Sequence, residues 1–417
     1  MRYVIIGNGA AGNAAAQAIV SRDPAGQVII VSNESHESYY RPLIPNLIDG
    51  SVDKNVLFRD EITQTKGVKK RLGVQVEGID PQGKFITLEK GEQLPYDRLL
   101  IATGSNAIRP RIPGMEAGGV HTLRTLDDAE AIRKAAEGQR SAVIIGAGRV
   151  GIKTASVLRH RRLEVSVVEM LGHVVPLQFD KVAGELLGSA IEGQGIRLVT
   201  GHAVKRVTHT EGRVSGVELD DGRRIEAQLV VVATGVSADT ELAREAGIAV
   251  NRGVLVDEFL RTSVSNIYAA GDVCETRDLL TDEPLVSGLW TNAVEMGTIA
   301  GRNMSGEEVA YGGAFSVLNS LEVANIPTIS IGLTNPPRGE DYEVKVQRHG
   351  DRYRKLVIKR GVLVGALLVG DVEGAGVFTG LIKRKSKIEP FIDILMAPRP
   401  SFAPWLAGDL EIPGQKA

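Results

Sequence analysis

The sequence predicts an α/β protein with two Rossmann-like domains of the three-layer ββα type and a C-terminal α+β domain. Three observations support this fold class: a glycine cluster that occurs twice after a short apolar strand, the same series of strand patterns after each cluster, and alternating strand patterns near the C-terminus. A chain of 417 residues, 43% of them apolar, suffices for roughly two to three globular domains.

Each glycine cluster has the spacing of a dinucleotide-binding fingerprint. The clusters consist of Gly7, Gly9 and Gly12 and of Gly146, Gly148, Val150 and Gly151. An apolar strand precedes each cluster, at residues 4–6 and 143–145, and a helix-forming stretch follows at residues 13–20 and 152–160. Such glycines permit a tight turn and close approach of the backbone to a pyrophosphate, whose charge is met by the helix N-terminus. We therefore expect two dinucleotide sites.

The repeat extends beyond the glycines. Each cluster is followed by a strand pattern, a hairpin pattern and an apolar strand that ends in Ala-Thr-Gly. The hairpins turn at Lys90-Gly91 and Asp221-Gly222, and the strands end at Thr103-Gly104 and Thr234-Gly235. The common order predicts two parallel α/β units, each with an antiparallel excursion.

The remaining patterns divide the chain into four predicted segments. Proline and glycine residues at 110–114 mark one boundary. A strand at 266–270 runs into Gly271-Asp272 and is followed by a helical pattern at 290–304. Alternating strands at 343–348, 353–359 and 362–369 predict a small α+β unit. The expected segments are 1–112, 113–243, 244–314 and 315–417.

Composition excludes several classes of protein. A net charge of −2 gives no electrostatic footprint for nucleic acid. Cys274 is the only cysteine, so an intrachain disulfide and a cysteine-held iron–sulfur cluster are excluded, and the scattered histidines predict no metal site. No apolar run approaches the roughly 20 residues of a membrane span, and the first strand begins too early for an export signal. We expect a cytoplasmic protein.

With these motifs in this order, residues 1–310 resemble the FAD- and NAD(P)-dependent pyridine nucleotide–disulfide oxidoreductase superfamily. The resemblance implies that segments 1–112 and 244–314 form an FAD domain, 113–243 an NAD domain and 315–417 an interface domain. The implied FAD contacts are Gly7, Gly9, Gly12, Glu34, Arg41, Val76, Thr103, Gly104, Gly271 and Asp272. The implied NAD contacts are Gly146, Gly148, Val150, Gly151, Glu169, Thr234 and Gly235.

Ribose recognition in such folds uses an acid roughly 20 residues after the glycines. Glu169 ends the strand of the second unit with no arginine directly after it, which favours NAD(H) over NADP(H). Glu34 is displaced into a loop and is either the ribose acceptor of the first unit or a solvated acid. Asp272, which the resemblance places near the flavin ribityl and phosphate, would act through a hydroxyl or a bridging water because direct contact with phosphate is repulsive.

Residues 38–46 depart from the disulfide reductases of the superfamily, which carry reactive cysteine there. No thiol is present, so relay through a protein cysteine is excluded, and Cys274 is expected to be a buried small residue. The sequence Tyr40-Arg41-Pro42-Leu43 is instead similar to rubredoxin reductases, to the flavin module of assimilatory nitrite reductases and to flavin subunits of anaerobic oxidoreductases. That similarity implies single-electron transfer to another protein.

Three further residues are candidates near the cofactor rings, although none is identified as a general base. Arg41 either stabilises the reduced flavin or forms a salt bridge at a helix start. Lys153 approaches the nicotinamide, pairs with an acid near the flavin, or lies on a helix surface. Asn46 stands where relatives of the ferredoxin reductases often carry a lysine.

The sequence thus predicts an FAD-dependent NAD(H):acceptor oxidoreductase that exchanges single electrons with an iron–sulfur protein or subunit. Residues 371–417, with a basic run at 383–387 and Trp405, resemble the tail of the flavin subunit of phenylglyoxylate-type 2-oxoacid dehydrogenases, which implies a hetero-oligomeric complex. A homodimer contact fits the tail equally. The alternatives are a stand-alone NADH–rubredoxin or ferredoxin reductase, an NADH oxidase, and a redox-silent assembly subunit; the direction of electron flow stays open.

Overall fold

The computed structural model describes residues 1–58, 67–337 and 341–397, which form two compact units. The first unit consists of Met1–Ile108, Arg124–Ala129 and Gly235–Ala314. The second consists of Arg109–Leu123, Glu130–Thr234 and the described residues from Phe315 onward. Each unit contains one glycine cluster.

A five-stranded parallel sheet forms the core of the first unit. Its strands, in spatial order, are Ile267–Ala269, Arg98–Ile101, Arg2–Ile6, Gln27–Ser32 and Val68–Leu72. Val4, Ile5, Leu99 and Leu100 are fully buried, as expected for parallel strands that are covered on both faces. The central strand, Arg2–Ile6, leads directly into the first glycine cluster, which places that cluster at the carboxyl edge of the sheet.

Two long helices of the first unit pack closely against each other. The first fingerprint helix, Ala10–Arg22, directly follows the glycine cluster, and the second is Trp290–Met304. A Cβ at Gly297 would collide with the backbone of Ala11, and one at Gly301 with the backbone of Ala15. The two helices therefore approach at distances that only glycine permits. The short helices of the unit are Arg41–Leu43, Asn46–Asp49, Lys54–Leu57, Glu89–Gly91 and Glu241–Glu245.

Smaller sheets complete the first unit. One is the antiparallel sheet of Val76–Asp80, Phe85–Leu88 and Gln93–Pro95, whose chain turns at Lys90-Gly91 as predicted. A second contains Val254–Leu255, Cys274–Arg277 and Pro284–Val286. In the third, Ser105–Ala107 pairs antiparallel with Val236–Ala238. That last pairing, which the sequence did not predict, joins the first and third segments of the unit.

The second unit contains another five-stranded parallel sheet. Its strands are Ile196–Thr200, Glu164–Glu169, Ser141–Ile145, Leu229–Val232 and Val120–Thr122. The central strand again leads into a glycine cluster, followed by the second fingerprint helix, Arg149–His160. Lys181–Gly193 is a further helix, and Leu126–Ala135 contributes residues to both units. An antiparallel sheet of Val204–Thr210, Arg213–Leu219 and Arg224–Glu226 turns at Asp221-Gly222 as predicted.

A five-stranded antiparallel sheet, here called the C-terminal sheet, lies within the same unit. Its spatial order is Leu318–Val323, Ile326–Gly332, Val362–Val369, Arg352–Lys359 and Tyr342–His349. The last three of these are the strands predicted from alternation, and the predicted fold class is confirmed. The first two were not predicted. Among the described residues no helix is long and apolar enough to cross a membrane.

Part of the tail at residues 371–417 folds onto its own domain. Residues 375–383 form the helix Ala375–Lys383, which packs on the C-terminal sheet and buries Phe378, Leu381 and Ile382. Glu389–Phe391 and Ile392–Met396 are short helices that follow. The apolar side chains of this stretch are thus engaged within the domain, whereas Trp405 lies outside the described residues.

Candidate functional site

The first glycine loop leaves open space at only one of its three glycines. Gly7 has a φ of +117°, and a Cβ there would collide with the carbonyl oxygen of Ala102. A Cβ at Gly12 would collide with the carbonyl oxygen of Gly7. At Gly9, by contrast, a Cβ would meet no atom within 4 Å. Two glycines therefore serve the packing of the loop itself, and the third borders a space that a ligand can enter.

The second glycine loop repeats this arrangement. Gly146 has a φ of +105°, and a Cβ there would collide with the carbonyl oxygen of Ala233. A Cβ at Gly151 would collide with the backbone of Gly146, and one at Gly148 would meet nothing within 4 Å. Val150, in the first helical turn, is 45% exposed. The two loops are equivalent in geometry as well as in sequence.

Both open spaces lie at the N-terminus of a helix. Gly9 and Gly148 are the N-cap residues, and neither has a side chain that could cap the helix. The first turn of each helix contains no acidic residue. The first amides of both helices are thus available to an anion, and the helix dipole favours one there.

A cleft beside the first loop contains an ion pair between two of the predicted residues. Arg41 donates to Glu34 Oε1 over 2.7 Å, and the Tyr39 hydroxyl donates to Glu34 Oε2 over 2.5 Å. The predicted salt bridge at a helix start is therefore present, because Arg41 begins the short helix Arg41–Leu43. The cleft is lined by Asn8, Gly9, Ser32, Glu34, His36, Glu37, Tyr39, Arg41 and Trp290.

The surroundings of Tyr39 and Arg41 determine the protonation states of these two side chains. Burial raises the pKa of Tyr39, and the neighbouring carboxylate of Glu34 adds to that effect although Arg41 opposes it. Burial alone would lower the pKa of Arg41, but its interactions with Tyr39, Glu34 and Asp272 raise it overall. Tyr39 therefore stays a neutral donor and Arg41 stays charged.

Asp272 takes part in a second polar cluster of the first unit. Its Oδ2 accepts from Ser105 Oγ over 2.9 Å and from Arg124 Nη2 over 3.0 Å. Arg124 also donates through Nε to the Ser105 carbonyl, and its own carbonyl accepts from Arg41 over 2.8 Å. A continuous series of contacts thus connects Glu34 to Asp272. Burial lowers the pKa of Arg124 and Asp272 opposes this.

Two buried polar atoms near the predicted FAD contacts have no hydrogen-bond partner among the described residues. They are Ser38 Oγ and Asn46 Oδ1. Ser38 directly precedes Tyr39, which lines the cleft. Buried side-chain oxygens are nearly always paired, but Ser38 itself does not line the cleft, so the described part of the chain gives no partner for its hydroxyl there. Asn46 donates to Ser51 Oγ over 3.3 Å and does not line the cleft.

Glu169 binds the backbone of the second glycine loop. Its Oε2 accepts from the Ala147 amide over 2.8 Å, and its Oε1 accepts from the Leu171 amide over 2.9 Å. The residue is 8% exposed. Each carboxylate oxygen has a further lone pair, so Glu169 retains the capacity to accept from a ribose hydroxyl. Lys153 lies half-buried on the second fingerprint helix.

The other predicted site residues lie at the ends of strands or in the core. Thr103 donates to the Asp239 carbonyl over 2.8 Å. Gly104, Gly235 and Gly271 all have a positive φ, and Gly235 begins the third segment of the first unit whereas Thr234 belongs to the second. The side chain of Val76 is buried in the core of the first unit, which leaves its backbone for any ligand contact.

Cys274 is buried, as predicted. It is 1% exposed, and burial raises the pKa of its thiol well above the usual value. A thiolate is the reactive form of cysteine, so burial and the raised pKa both disfavour reaction of this side chain in the folded protein.

Several residues of the first site were missed by sequence reasoning. They are Asn8, Ser32, His36, Tyr39, Ser105, Arg124 and Trp290. Trp290 begins the helix that follows Gly271-Asp272 and packs edge-on against Tyr40, with ring centroids 4.9 Å apart. The predicted start of this helix was a signal from which the position of Trp290 at the site could have been predicted. Arg124 has no such signal, because it lies in an unremarkable connection between a strand and a helix.

One surface group could bind a metal by composition. His202, Asp220 and Asp221 bring ligand atoms within 4.8 Å of one another. His202 pairs with Asp220 over 3.1 Å, and Asp221 pairs with Arg223 over 2.5 Å. These ion pairs account for the cluster, and we assign no metal to it.

Comparison with known protein families covers most of the chain. Residues 1–297 match the model of the pyridine nucleotide-disulphide oxidoreductase family. Residues 318–386 match the rubredoxin NAD+ reductase C-terminal domain. The second match includes the helix Ala375–Lys383, so that part of the predicted tail belongs to the domain.

Three individual proteins illustrate the similarity. The epsilon subunit of NADH-dependent phenylglyoxylate dehydrogenase from Aromatoleum evansii is 29% identical over 394 residues, which cover 93% of each protein. The rubredoxin-NAD(+) reductase of Alcanivorax borkumensis is 28% identical over 398 residues, 94% of this chain and 99% of that protein. A solved NAD-dependent persulfide reductase from A. fulgidus has a TM-score of 0.88 at 28% identity, covering 96% of this chain and 80% of that one.

Proposed function

Because the chain belongs to the pyridine nucleotide-disulphide oxidoreductase family and is an NADH:acceptor oxidoreductase with FAD and NAD(H) as cofactors, we propose that its acceptor is an iron–sulfur protein or subunit. The observation that carries the proposal is the pair of glycine loops, each open only at its middle glycine, in a chain whose single thiol is buried. Two dinucleotides can be held, and no cysteine is available to store the electrons.

We assign FAD to the first loop. Gly9 and the amides after it would receive the pyrophosphate. Asp272 would accept from a hydroxyl of the ribityl chain, while Arg124 balances its charge. Glu34 would accept from the ribose with its orientation fixed by Arg41. When bound, FAD supplies the exchange of hydride with NAD(H) and of single electrons with the acceptor.

We assign NAD(H) to the second loop. Gly148 and the amides after it would receive the second pyrophosphate. Glu169 holds the loop through the Ala147 amide and would accept from the adenosine ribose. A 2′-phosphate would meet the carboxylate of Glu169, and this repulsion supports NAD(H) over NADP(H).

The physiological acceptor is proposed from the chemistry and from the relatives together. A rubredoxin reductase matches nearly the full chain, and the C-terminal sheet matches a domain named for such reductases. The phenylglyoxylate dehydrogenase subunit matches the chain to the same extent and supports a place in a larger complex. We favour the complex subunit; a stand-alone reductase for rubredoxin or ferredoxin is the second candidate.

Anaerobic mixing of the purified protein with NADH tests the central proposal. We expect the flavin absorbance to bleach, and rapid turnover with ferredoxin, rubredoxin or methyl viologen but slow turnover with O₂ alone. Rapid turnover with O₂ that no added carrier increases would instead indicate an NADH oxidase. A purified protein without flavin, or one that NADH does not bleach, would indicate a redox-silent subunit.

Purification of the native protein from its own cells separates the two preferred candidates. Co-purification with iron–sulfur or thiamine-containing subunits is expected for the complex. A protein that elutes by itself and reduces rubredoxin or ferredoxin at high rate would contradict the complex and support the stand-alone enzyme. Assay with reduced ferredoxin and NAD+ determines the direction of electron flow.

A further inference from the structure

The segment of residues 170–180, which follows Glu169, lies directly against the second glycine loop. The Val175 amide donates to the Ala147 carbonyl over 2.9 Å, and Val175 is fully buried. Its φ of +49° lies in the left-handed region, which β-branched residues rarely adopt. Such a conformation persists only where the surrounding structure holds it.

The connection that follows the strand Ile326–Gly332 of the C-terminal sheet contacts the segment of residues 170–180 through two hydrogen bonds. Thr334 Oγ1 donates to the Gln178 carbonyl over 2.7 Å. Asn335 Nδ2 donates to the Phe179 carbonyl over 3.2 Å. Both donors directly follow the strand Ile326–Gly332 of that sheet.

Asp180, the last residue of the segment, contacts two side chains of the C-terminal sheet. Its Oδ2 accepts from the Tyr353 hydroxyl over 2.6 Å and from Lys355 Nζ over 2.9 Å. Its Oδ1 accepts from the Ala183 amide and so caps the helix Lys181–Gly193. Lys355 is only 7% exposed. Removal of Asp180 would leave the buried charge of Lys355 uncompensated, and removal of Lys355 would leave the partly buried carboxylate of Asp180 without its cation.

A second contact connects the same sheet to the glycine loop itself. Arg149, between Gly148 and Val150, donates to the side-chain oxygen of Asn319. Asn319 lies in the strand Leu318–Val323. The C-terminal sheet thus contacts the loop at the start of the second fingerprint helix and also contacts the segment that donates to the loop at Ala147.

We propose that the C-terminal sheet positions the second glycine loop for NAD(H), with Asp180, Tyr353 and Lys355 as the positioning residues. This proposal rests on the assignment of NAD(H) to that loop. Loss of the Asp180 contacts releases the segment around Val175 and lets the Ala147 carbonyl shift. NAD(H) affinity falls as a result, while the FAD site, built from other elements, keeps its geometry.

The substitution Lys355→Met tests the proposal, with Lys345→Met as the matched control. Lys345 lies in the neighbouring strand of the same sheet and pairs with Glu343 on an exposed face. We expect Lys355→Met to raise the Kd for NADH at least about fivefold, the lower end of typical coupling between sites. FAD content stays at the wild-type level, and Lys355→Arg recovers part of the affinity. Lys345→Met leaves the Kd unchanged.

The steady-state parameters separate positioning from a general loss of structure. Lys355→Met is expected to raise KM for NADH far more than it changes kcat with methyl viologen as acceptor. If Lys355→Met does not fold, Tyr353→Phe removes one hydroxyl only and is expected to raise the Kd in the same direction. A wild-type protein that binds NADH, with variants of unchanged Kd, overturns the inference. A wild-type protein that does not bind NADH overturns the proposed function instead.

Discussion

The guanidinium of Arg124 lies 3.0 Å from the carboxylate of Asp272. The two residues are 148 positions apart in the chain, and Ser105 Oγ contacts the same carboxylate oxygen. An acid beside the proposed flavin diphosphate would repel it, and the adjacent cation offsets this charge. Arg124 would therefore make an acidic residue at position 272 compatible with the proposed anionic cofactor.

Removal of this cation should weaken flavin binding. We expect Arg124→Met to raise the Kd for FAD on the order of tenfold, because it leaves Asp272 with an unpaired charge. Arg22→Met, which breaks the exposed pair with Glu307, is the control and should change little. The fluorescence of FAD released on dialysis measures how much FAD each variant retains relative to the wild type. Equal retention by both variants would contradict the role of Arg124.

Alanine at the two open glycines should separate the cofactors. The φ of Gly9 is −85° and that of Gly148 is −70°, so alanine fits both backbones. We expect Gly9→Ala to weaken FAD binding on the order of tenfold, about 1.4 kcal/mol, and Gly148→Ala to weaken NADH binding similarly. Flavin absorbance and NADH titration measure the two effects.

Gly78 and Gly193 provide controls for these variants, since a Cβ at either meets nothing within 4 Å. Gly78→Ala and Gly193→Ala should retain both cofactors. A Gly148→Ala protein that loses FAD but binds NADH normally would reverse the assignment of the two loops.

Glu169 should determine the preference between the two nicotinamide cofactors. We expect the wild-type kcat/KM for NADH to exceed that for NADPH, and Glu169→Gln to reduce this ratio because the neutral amide no longer repels a 2′-phosphate. One amide oxygen remains to accept from Ala147, so the glycine loop should stay folded, although the Leu171 amide loses its acceptor. Steady-state kinetics with both cofactors measure the ratio. Equal use of NADPH by the wild type would contradict the prediction.

Cys274 should be dispensable for electron transfer. The thiol is buried and its pKa is raised, so Cys274→Ala is expected to leave NADH-dependent reduction of methyl viologen unchanged. Iodoacetamide should not modify the native protein and should modify it after unfolding. Rapid alkylation of the native thiol that parallels loss of activity would show that a cysteine takes part after all.

Asp180 should make folding stability depend on pH in the acidic range. Burial acts to raise its pKa, but the contacts with Tyr353, the Ala183 amide and Lys355 lower it overall. The ionised carboxylate therefore stabilises the native state above the usual value of about 4, and this contribution is lost as pH falls through the lower native pKa. We expect the Tm difference between wild type and Asp180→Asn to be constant near neutral pH and to shrink below about pH 4. A difference independent of pH would rule out this contribution.

Local sequence patterns predicted the elements whose formation depends on residues close together in the chain. The two glycine clusters and the Ala-Thr-Gly strand ends predicted both parallel sheets, because each sheet repeats one strand–turn–helix unit. The pair Arg124 and Asp272 could not be predicted, since its members come from distant segments and neither lies in a periodic pattern. Ser105–Ala107 and Val236–Ala238 are three-residue strands, too short to show alternation. The helix Ala375–Lys383 was not predicted, because residues 371–417 were interpreted as a tail beyond a minimal interface domain.

The strand Ile267–Ala269 has a consequence for how the chain folds as it is synthesised. It completes the first parallel sheet at the edge beside Arg98–Ile101, although the rest of that sheet ends at Ile101. The second parallel sheet, from Val120–Thr122 to Leu229–Val232, has by then emerged in full from the ribosome. The order of the strands along the chain thus allows the second sheet to form before the first sheet receives its edge strand, and a chain released before residue 267 would expose the backbone edge of Arg98–Ile101 to other chains.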